Sequence, residues 1–381
     1  MAEHRTTKTA TGGSLVIGGC GFLGYHLVRH LLRDDARPLQ PVHVLDINTG
    51  NNRVDGVSSY TQGGITDEAA VRSLLDTLQP HTVFHMASPP ASLPSSRQSE
   101  FHATNVVGTA TLLRAAAECP PVKAFVYTST VDVYADPPHD KTGEDWPLWT
   151  DVLGDGKGRR PKMSEYCRTK AVADSLVRAA NSDPGHLQTV VLRPGHVYGE
   201  RHTQGLYEIL AAAQGNAPLI QLGKRSEDSN RVHMEVASAD NVAAGHVLAA
   251  KALLEGNAAG VAGAAFNLSD GAPVPFWHHA RVIWGIARGR EALDKVWVLP
   301  SWIMVAVVAV AEWSYWAFSF GKAQPPTEFT SASLSYCIES HSYSIDKARR
   351  LLHFAPVANH DDDLAASVRW ELARRGQPIL G

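Results

Sequence analysis

The stretch SLVIGGCGFLGYHLVRHLL, residues 14–32, decides the fold of this 381-residue chain. It opens with an apolar run typical of a buried strand, and from Leu23 onward leucine and valine recur at helical spacing. Gly18, Gly21 and Gly24 lie where the strand gives way to the helix. The first permits a tight turn, the second lets backbone approach a pyrophosphate, and the third lets the helix pack closely on the strand. In this position the three glycines predict a dinucleotide site, with the phosphates at the helix N-terminus.

Short apolar strands and helical segments alternate through the first half of the chain. Further strands are predicted at 42–48, 81–87, 123–130 and 187–194. Further helices are also predicted: one with Thr66 as its N-cap, a long one through 101–119, and one with Ser164 as its N-cap. This alternation predicts an α/β fold, a Rossmann-type doubly wound parallel sheet with helices on both faces.

After about residue 194 the alternation loosens, which predicts a smaller, mostly helical C-terminal substrate-binding region. The predicted organisation is a disordered lead at 1–13, an NAD-binding Rossmann domain at 14–194 to which 231–255 returns, and a substrate-binding region at 195–230 and 256–381.

One segment of that region, residues 299–320 with the sequence LPSWIMVAVVAVAEWSYWAFSF, is unusually apolar. A membrane span needs about 20 apolar residues, and Glu312 interrupts this one. Three interpretations stay open: a buried helix, a helix lying on a membrane surface, and a transmembrane span.

Composition excludes several classes of protein. The net charge of −3 provides no basic field for nucleic acid. The 4 cysteines are scattered without metal-ligand spacing, which predicts neither a zinc site nor a disulfide framework and favours a reducing, intracellular compartment. We therefore expect no metal. The polar lead lacks the apolar core of a signal peptide.

Asp46 ends the second predicted strand, 22 residues after Gly24. A carboxylate there accepts hydrogen bonds from ribose hydroxyls and repels a 2′-phosphate, which favours NAD over NADP. Two alternatives stay open: Asp46 caps its own loop, or Arg53 binds a 2′-phosphate.

The pattern Tyr-x-x-x-Lys occurs twice, at Tyr166–Lys170 and at Tyr343–Lys347. The first pair falls near the start of a predicted helix, which places both side chains on one face. An ammonium group beside a phenol lowers the phenol pKa from about 10, so that the tyrosine can act as a general acid or base. A hydroxyl to position the substrate oxygen is available in the segment YTST, residues 127–130.

At this point the chain resembles the extended short-chain dehydrogenase/reductase family, and within it the 3β-hydroxysteroid dehydrogenase branch. The matching stretches run nearly end to end: VIGGCGFLGYHLV (16–28), VFHMASP (83–89), NVVGTATLL (105–113), YTSTVDVY (127–134), YCRTKA (166–171), LRPGHVYG (192–199), ADNVAAGHVLAA (239–250), AFNLSDGAPVPFW (265–277), LPSWIMVAVVAVAEW (299–313) and YSIDKARRLLHFAP (343–356).

The resemblance implies specific roles. Tyr166 is the expected catalytic acid/base, Lys170 its partner, and Thr130 the catalytic hydroxyl, with Ser129 as second choice. Cofactor contacts are expected from Gly18, Gly21, Phe22, Leu23, Gly24, Asp46, Ile65, Ala87, Lys170 and Pro194. The Tyr343–Lys347 pair resembles a late packing segment of the family instead.

Three features depart from the family pattern. Gly64 stands where relatives often have an acidic residue near the adenine, so Ile65 is expected to hold the adenine. An insertion places 36 positions between Thr130 and Tyr166. Val131 follows Thr130, so the Thr-Asp-Glu set of sugar-nucleotide dehydratases is missing.

The expected reaction is NAD-dependent oxidation of a 3β-hydroxyl on a sterol or triterpenoid, an apolar polycyclic substrate. A 4α-carboxysterol would then lose CO₂ from its β-keto acid, with Arg159, Arg160 and Lys162 as candidate partners of the carboxylate. The alternatives are a dehydrogenase, ketoreductase or dehydrogenase/isomerase acting on another polycyclic steroid or terpenoid, and a non-catalytic NAD-binding scaffold. Segment 299–320 is expected to contact a membrane surface, at the endoplasmic reticulum or a lipid droplet. Without such contact the expected location is the cytoplasm. A homodimer is also expected.

Overall fold

A computed structural model describes residues 11–135, 138–152, 164–183, 186–202, 205–214, 217–223, 232–256, 259–319, 330–357 and 359–380. Residues 1–10 of the predicted disordered lead lie outside the described residues. The candidate cations Arg159, Arg160 and Lys162 of the insertion lie outside them as well.

The strands are short. They are β1 (Ser14–Ile17), β2 (Val42–Asp46), β3 (Ser59–Gln62), β4 (Thr82–His85), β5 (Ala124–Thr128), β6 (His139–Thr142), β7 (Gln188–Pro194), β8 (His196–Tyr198), β9 (Ile220–Leu222), β10 (His233–Met234), β11 (Val236–Ser238), β12 (Ala265–Leu268), β13 (Val274–Pro275), β14 (Trp297–Leu299) and β15 (His341–Tyr343).

The α-helices vary more in length. They are α1 (Phe22–Leu31), α2 (Glu68–Leu78), α3 (Ser99–Phe101), α4 (Thr109–Ala117), α5 (Trp149–Val152), α6 (Glu165–Ala179), α7 (Gly205–Ala213), α8 (Ala239–Leu254), α9 (Phe276–Arg288), α10 (Ser301–Phe318), α11 (Ser331–Ile338), α12 (Asp346–Leu351) and α13 (His360–Arg374).

A parallel sheet in the order β12-β7-β5-β4-β1-β2-β3 forms the centre of the described structure, and it confirms the predicted fold class. Ile17 pairs with both Leu45 and His85, so the carboxyl ends of β1, β2 and β4 meet at one edge. The strand order reverses between β1 and β4, and ligands of open α/β sheets bind at such a point.

Both faces of this sheet carry a buried apolar core. On one face α1 and α8 pack against each other, with Leu27 and Val247 among the core residues. On the other face α2 and α4 contribute Leu75 and Leu112. Strands covered on both faces bury nearly all their side chains, which explains the continuous apolar runs of the sequence.

Strand β12 departs from the predicted division of the chain. Residues 256–381 were assigned to the substrate-binding region, yet Ala265–Leu268 pairs in parallel with β7, with Phe266 opposite Leu192. The sheet therefore recruits a strand from late in the sequence, and the domain boundaries themselves remain a prediction.

Two local helix predictions differ from the structure. Asp67, and not Thr66, caps α2, because its carboxylate accepts a hydrogen bond from the Ala70 N–H. The long helix expected through 101–119 is interrupted, since residues His102–Gly108 form a π-helix between α3 and α4. Ser164 does cap α6, through a hydrogen bond from the Cys167 N–H.

The apolar segment forms helix α10, in which Val308 is the buried residue. Its tryptophans Trp302, Trp313 and Trp316 are 71%, 65% and 63% exposed. The interpretation as a buried helix is therefore wrong. Among the described helices α10 is the one long and apolar enough to cross a membrane by length and composition.

Tyr343 and Lys347 engage separate partners. The Tyr343 hydroxyl lies 2.9 Å from His139 Nδ1, and Lys347 Nζ donates to the Ala265 carbonyl at 2.9 Å. Both contacts join the C-terminal part of the chain to the rest of the fold, which is a packing role.

A buried ion pair joins α6 to β7. Arg193 donates to both carboxylate oxygens of Asp174, at 2.8 and 2.7 Å, and both side chains are 0% exposed. Arg193 also donates to the Tyr134 hydroxyl at 2.9 Å, and that hydroxyl donates to Asn267 Oδ1 at 2.7 Å. Four separate parts of the chain thus meet in one hydrogen-bonded network.

Replacing Asp174 with Asn is expected to lower the free energy of unfolding by about 3–5 kcal/mol, because it leaves the Arg193 guanidinium buried without a counter-charge. Urea denaturation measures this change. Glu100→Gln removes the exposed Arg97–Glu100 pair and serves as the matched control, which should unfold like the wild type. An equal loss in both variants would contradict this account.

Candidate active site

The glycine loop lies at the carboxyl end of β1 and leads into α1. Gly18 has a φ of +80°, and a Cβ on it would lie 2.9 Å from the Ala87 backbone. A Cβ on Gly24 would lie 2.0 Å from the Gly18 carbonyl oxygen, so only glycine allows this approach of helix to strand. Around Gly21 there is more room, since a Cβ would meet only the Gly18 oxygen, at 3.2 Å. The loop fits a pyrophosphate at the start of α1, where N–H groups lack partners within the helix.

The Asp46 carboxylate faces this loop. Its Oδ2 accepts from the Cys20 N–H at 2.9 Å, and its Oδ1 accepts from the Asn48 N–H at 2.9 Å. Each oxygen keeps further acceptor capacity for a ribose hydroxyl. Arg53 instead stacks over the Tyr60 ring at 4.1 Å.

The other expected cofactor residues fall into two groups. Phe22 and Leu23 are half-buried at the start of α1, and the Phe22 ring stacks on His202 with centroids 4.7 Å apart. Ala87 follows β4, and Pro194 is the last residue of β7. Both therefore lie at the same edge of the sheet. Ile65 belongs to the apolar core, where it lies under Gly108.

The two hydroxyl candidates behave differently. Thr130 Oγ1 donates to Asp132 Oδ2 at 3.1 Å, and the Thr130 side chain lies close enough to Tyr166 to lower the pKa of its phenol. Ser129 is buried, and its Oγ has no hydrogen-bond partner among the described residues. Of the two, Thr130 is the one that the structure brings to Tyr166.

Tyr166 and Lys170 both lie on α6, and the Tyr166 pKa is shifted in the direction opposite to the one expected from the sequence. Burial and the nearby Asp132 carboxylate raise the Tyr166 pKa above its ordinary value. Lys170 Nζ donates to the Thr128 carbonyl at 2.6 Å and lies 4.6 Å from the centre of the Tyr127 ring. Burial lowers the Lys170 pKa to about 7.

Three further residues beside the Thr130–Tyr166–Lys170 group were not predicted from the sequence. Asp132 joins Thr130, and Tyr336 of α11 donates to Asp132 Oδ1 at 2.5 Å. Asn105, in the π-helix, donates to Thr169 beside Lys170, and its Oδ1 is buried without a partner among the described residues. Asp132 lies two residues after Thr130, so its place near the site could have been predicted from the sequence. Tyr336 lies 204 positions from Asp132, and no local pattern predicts their contact.

A candidate cation site lies elsewhere, although the sequence predicted no metal. Ligand atoms of His278, His360 and Asp361 lie within 4.8 Å of one another, and the described residues contain no other such group. Asp361 already accepts a hydrogen bond from both histidines, at 2.9 and 2.7 Å.

The parallel sheet, the glycine loop and the Thr130–Tyr166–Lys170 group define a nicotinamide-dependent oxidoreductase of the short-chain dehydrogenase/reductase type, acting on a hydroxyl group. Residues 15–300 match the 3-beta hydroxysteroid dehydrogenase/isomerase family. The chain belongs to that family.

Curated relatives extend this match over most of the chain. It is 29% identical to a sterol-4-alpha-carboxylate 3-dehydrogenase, decarboxylating, of Gibberella zeae, over 81% of this chain and 96% of that protein. It is equally 29% identical to the Bos taurus protein of that name, over 93% of this chain and 91% of the relative.

Solved structures support the fold alone. The dTDP-glucose 4,6-dehydratase of Streptomyces venezuelae, solved with NAD, superposes with a TM-score of 0.66 at 22% identity, covering 95% of this chain and 98% of that chain. The UDP-glucose 4-epimerase of Thermotoga maritima gives 0.65 at 17% identity, covering 95% and 99%.

The buried Lys170 should make stability depend on pH. Its pKa is about 7 in the folded chain and about 10.4 in an unfolded one, so between these values the unfolded chain binds more protons. The free energy of unfolding is therefore expected to rise with pH through this window. Lys170→Met should flatten that rise, as measured by urea denaturation at several pH values. Lys251→Met is the control that keeps it, and equal slopes in the two variants would sink the interpretation.

Proposed function

We propose that this chain oxidises the 3β-hydroxyl of a sterol or triterpenoid with NAD. The observation that carries the proposal is that Thr130 lies close enough to Tyr166 to affect its pKa. This pair occurs in a chain that has the glycine loop and is similar over most of its length to sterol-4-alpha-carboxylate 3-dehydrogenases. Tyr166 is the proposed acid/base, Thr130 the hydroxyl at the substrate oxygen, and Lys170 the partner of the nicotinamide ribose. When bound, NAD would supply the hydride acceptor for the carbinol carbon.

A carboxylate at C4 would make the 3-ketone a β-keto acid, which loses CO₂ through its enolate. Thr130 and Tyr166 are proposed to contact the ketone oxygen, where hydrogen bonds from hydroxyl groups would stabilise an enolate oxygen. Decarboxylation then requires no additional catalytic residue. The likeness to sterol-4-alpha-carboxylate 3-dehydrogenases is what supports a 4α-carboxysterol as the proposed substrate.

One observation favours a second candidate, a neutral polycyclic steroid or terpenoid alcohol. The Asp132 carboxylate is hydrogen-bonded to Thr130, and it repels a substrate carboxylate bound nearby. The cations considered as partners for such a carboxylate lie outside the described residues. A non-catalytic scaffold is disfavoured, because Thr130, Tyr166 and Lys170 are all present.

The choice of NAD over NADP rests on Asp46. Its carboxylate is held at the glycine loop by the Cys20 N–H, and a fixed negative charge there disfavours a 2′-phosphate. Arg53 is the competing residue, since its guanidinium stacks on Tyr60 and lowers the pKa of Cys20 in the same loop.

The purified wild type should oxidise 3β-hydroxysterols in a screen run with and without a 4α-carboxylate, and with NAD and NADP separately. Reduced cofactor is followed by absorbance and product mass is measured. Tyr166→Phe should lower kcat at least about 100-fold, because the proton acceptor is lost.

Tyr343→Phe is the matched control for that experiment, since it also removes a buried phenol hydroxyl, but one that contacts His139. Turnover that survives Tyr166→Phe would contradict the proposed chemistry. A product that keeps its carboxylate would instead favour the second candidate.

Helix α10 is proposed to lie on a lipid bilayer, from which the sterol enters the site. Large apolar side chains, Trp302, Trp313, Trp316 and Phe318 among them, are exposed along it. Tryptophan favours the membrane–water interface. Glu312 of α10 accepts hydrogen bonds from the Ser331 N–H and hydroxyl at the start of α11, the helix whose Tyr336 reaches Asp132. The bilayer surface would thus lie one short helix from the catalytic hydroxyls.

Replacing Trp313 and Trp316 with Ser should weaken flotation with phosphatidylcholine vesicles at least about tenfold, because interfacial tryptophans anchor such helices. The matched control replaces Val357 and Leu380, two exposed apolar residues away from α10, with Ser. If the α10 variant floats as well as the control, the proposed membrane contact fails.

An endoplasmic-reticulum or lipid-droplet location follows from this membrane proposal, and a cytoplasmic one is the alternative. The homodimer expected from the sequence remains a prediction that sedimentation velocity tests.

A further inference from the structure

Three side chains that take no part in the proposed chemistry converge from two helices. His278 lies in the first turn of α9, and His360 and Asp361 are the first two residues of α13. The Asp361 carboxylate oxygens lie 2.9 and 3.0 Å from His278 Nε2, and Oδ1 lies 2.7 Å from His360 Nδ1. Two imidazole nitrogens, one from each helix, therefore approach the same carboxylate.

The separations of these atoms fit the ligands of one small ion. All three ligand atoms lie within 4.8 Å of one another. Bonds of about 2.0–2.2 Å to a tetrahedral Zn²⁺ place neighbouring nitrogen and oxygen ligands about 3.3 Å apart. The two contacts with Asp361 are somewhat shorter, as expected where a hydrogen bond occupies the position of the ion. Because the His278 side chain is half-exposed, it has room for the small rotation that opens them.

The far side of the His360 ring is held as that of a metal-bound imidazole would be. A histidine that binds an ion through one nitrogen donates the proton of its other nitrogen to a protein group, which fixes the ring. His360 Nε2 lies 2.9 Å from Nδ1 of His279, a residue that is 2% exposed. The His360 ring also packs edge-on against Tyr198, with centroids 5.2 Å apart. With an ion on Nδ1, the His360 proton occupies Nε2 and is donated to His279.

The ligands are carried on packed helices rather than on loops. Helices α9 and α13 contact each other, and Ile283 of α9 belongs to the same buried apolar cluster as Val368 and Leu372 of α13. Groups mounted on such elements are positioned more precisely than groups on loops. An ion bound to His278 and to the two α13 residues would join the helices where both begin.

The local charge favours a cation. A helix N-terminus carries about half a positive charge, and two helices begin here, which by itself disfavours a cation. The first turn of α13 opposes this with three carboxylates, Asp361, Asp362 and Asp363. Three full negative charges outweigh two partial positive ones at similar distances, so the balance of these groups attracts a cation.

We propose that His278, His360 and Asp361 bind one divalent transition-metal ion of the Zn²⁺ class, with His279 as the outer hydrogen-bond partner of His360. Two nitrogen ligands and one oxygen suit Zn²⁺, Co²⁺ or Ni²⁺, whereas Mg²⁺ and Ca²⁺ prefer oxygen alone. Water takes the fourth position. As the ion binds, the protons shared with Asp361 move to the other ring nitrogens or to solvent. The proposed role is structural, and it does not depend on sterol oxidation.

Zinc uptake is the first test, with the full chain purified without a histidine tag and stripped with EDTA. Calorimetric titration with ZnCl₂ should show one tight site per chain. His278→Ala should weaken it at least about 100-fold, because losing a direct ligand costs more than losing an outer partner. Asp361→Asn, which keeps the shape but not the charge, should weaken it at least about tenfold. No tight uptake by the wild type, or equal uptake by all three proteins, would overturn the proposal.

His186→Ala is the matched control, since it removes an exposed histidine outside the group. It should bind Zn²⁺ as the wild type does. A loss equal to that of His278→Ala would show scattered binding by surface histidines and would end the argument for one site. Excess Mg²⁺ should leave the titration unchanged, and displacement of Zn²⁺ by Mg²⁺ would show instead a merely acidic surface.

The role of His279 is tested by two substitutions at that position. His279→Leu cannot accept the His360 proton and should weaken Zn²⁺ binding about tenfold, whereas His279→Gln can accept it and should bind nearly as the wild type does. Equal affinities in the two variants would contradict the outer role of His279.

Two further readouts report where the ion lies and what it does. One equivalent of Co²⁺ should give the strong visible absorption of a tetrahedral ion in the wild type and lose it in His278→Ala. Zn²⁺ should shift urea denaturation of the wild type to higher urea, because an ion that binds the folded chain stabilises it. The same shift in His278→Ala would place the ion elsewhere and refute the proposed link between α9 and α13.

Discussion

The buried pair of Arg193 and Asp174 determines where the reactive groups of this protein lie. Asp174 is on α6, the helix that carries Tyr166 and Lys170, and Arg193 is on β7. Through Tyr134 the pair also holds the segment that follows Thr130, and through Asn267 it reaches β12. A charged pair at 0% exposure is costly unless its geometry is well satisfied, so this network tolerates little displacement. It therefore fixes α6, the helix that carries Tyr166, against β7.

What the sequence could predict was local in the chain. The Gly18–Gly24 loop, the carboxylate at Asp46 and the Tyr166–Lys170 helix each lie within a short stretch, where spacing and helical periodicity determine geometry. The sheet followed from alternating strands and helices. Site roles nevertheless remain predictions, because position on an element does not determine which atom a side chain contacts. Lys170 illustrates this: its helix was predicted, but its contact with the Thr128 carbonyl was not.

The missed features depend on contacts between distant parts of the chain. Tyr336 lies 204 positions from Asp132 and meets it only because α11 packs over the site. Strand β12 joins the sheet through β7, although local composition groups it with the C-terminal region. The exposure of α10 was equally undecidable, since an apolar run looks the same whether it is buried in the protein or faces outward. Only the packed chain distinguishes these cases.

Charge balance links the site to the proposed substrate. The Asp132 carboxylate faces the hydroxyls from one side, while Lys170 is a buried amine whose pKa of about 7 makes it only a partial cation. A 4α-carboxylate bound at Thr130 would bring a second negative charge towards Asp132, which weakens binding. Loss of CO₂ moves that negative charge onto the enolate oxygen, where hydrogen bonds from Tyr166 and Thr130 would have to stabilise it. Asp132 would therefore oppose binding of a carboxysterol, whereas it would not repel a neutral sterol.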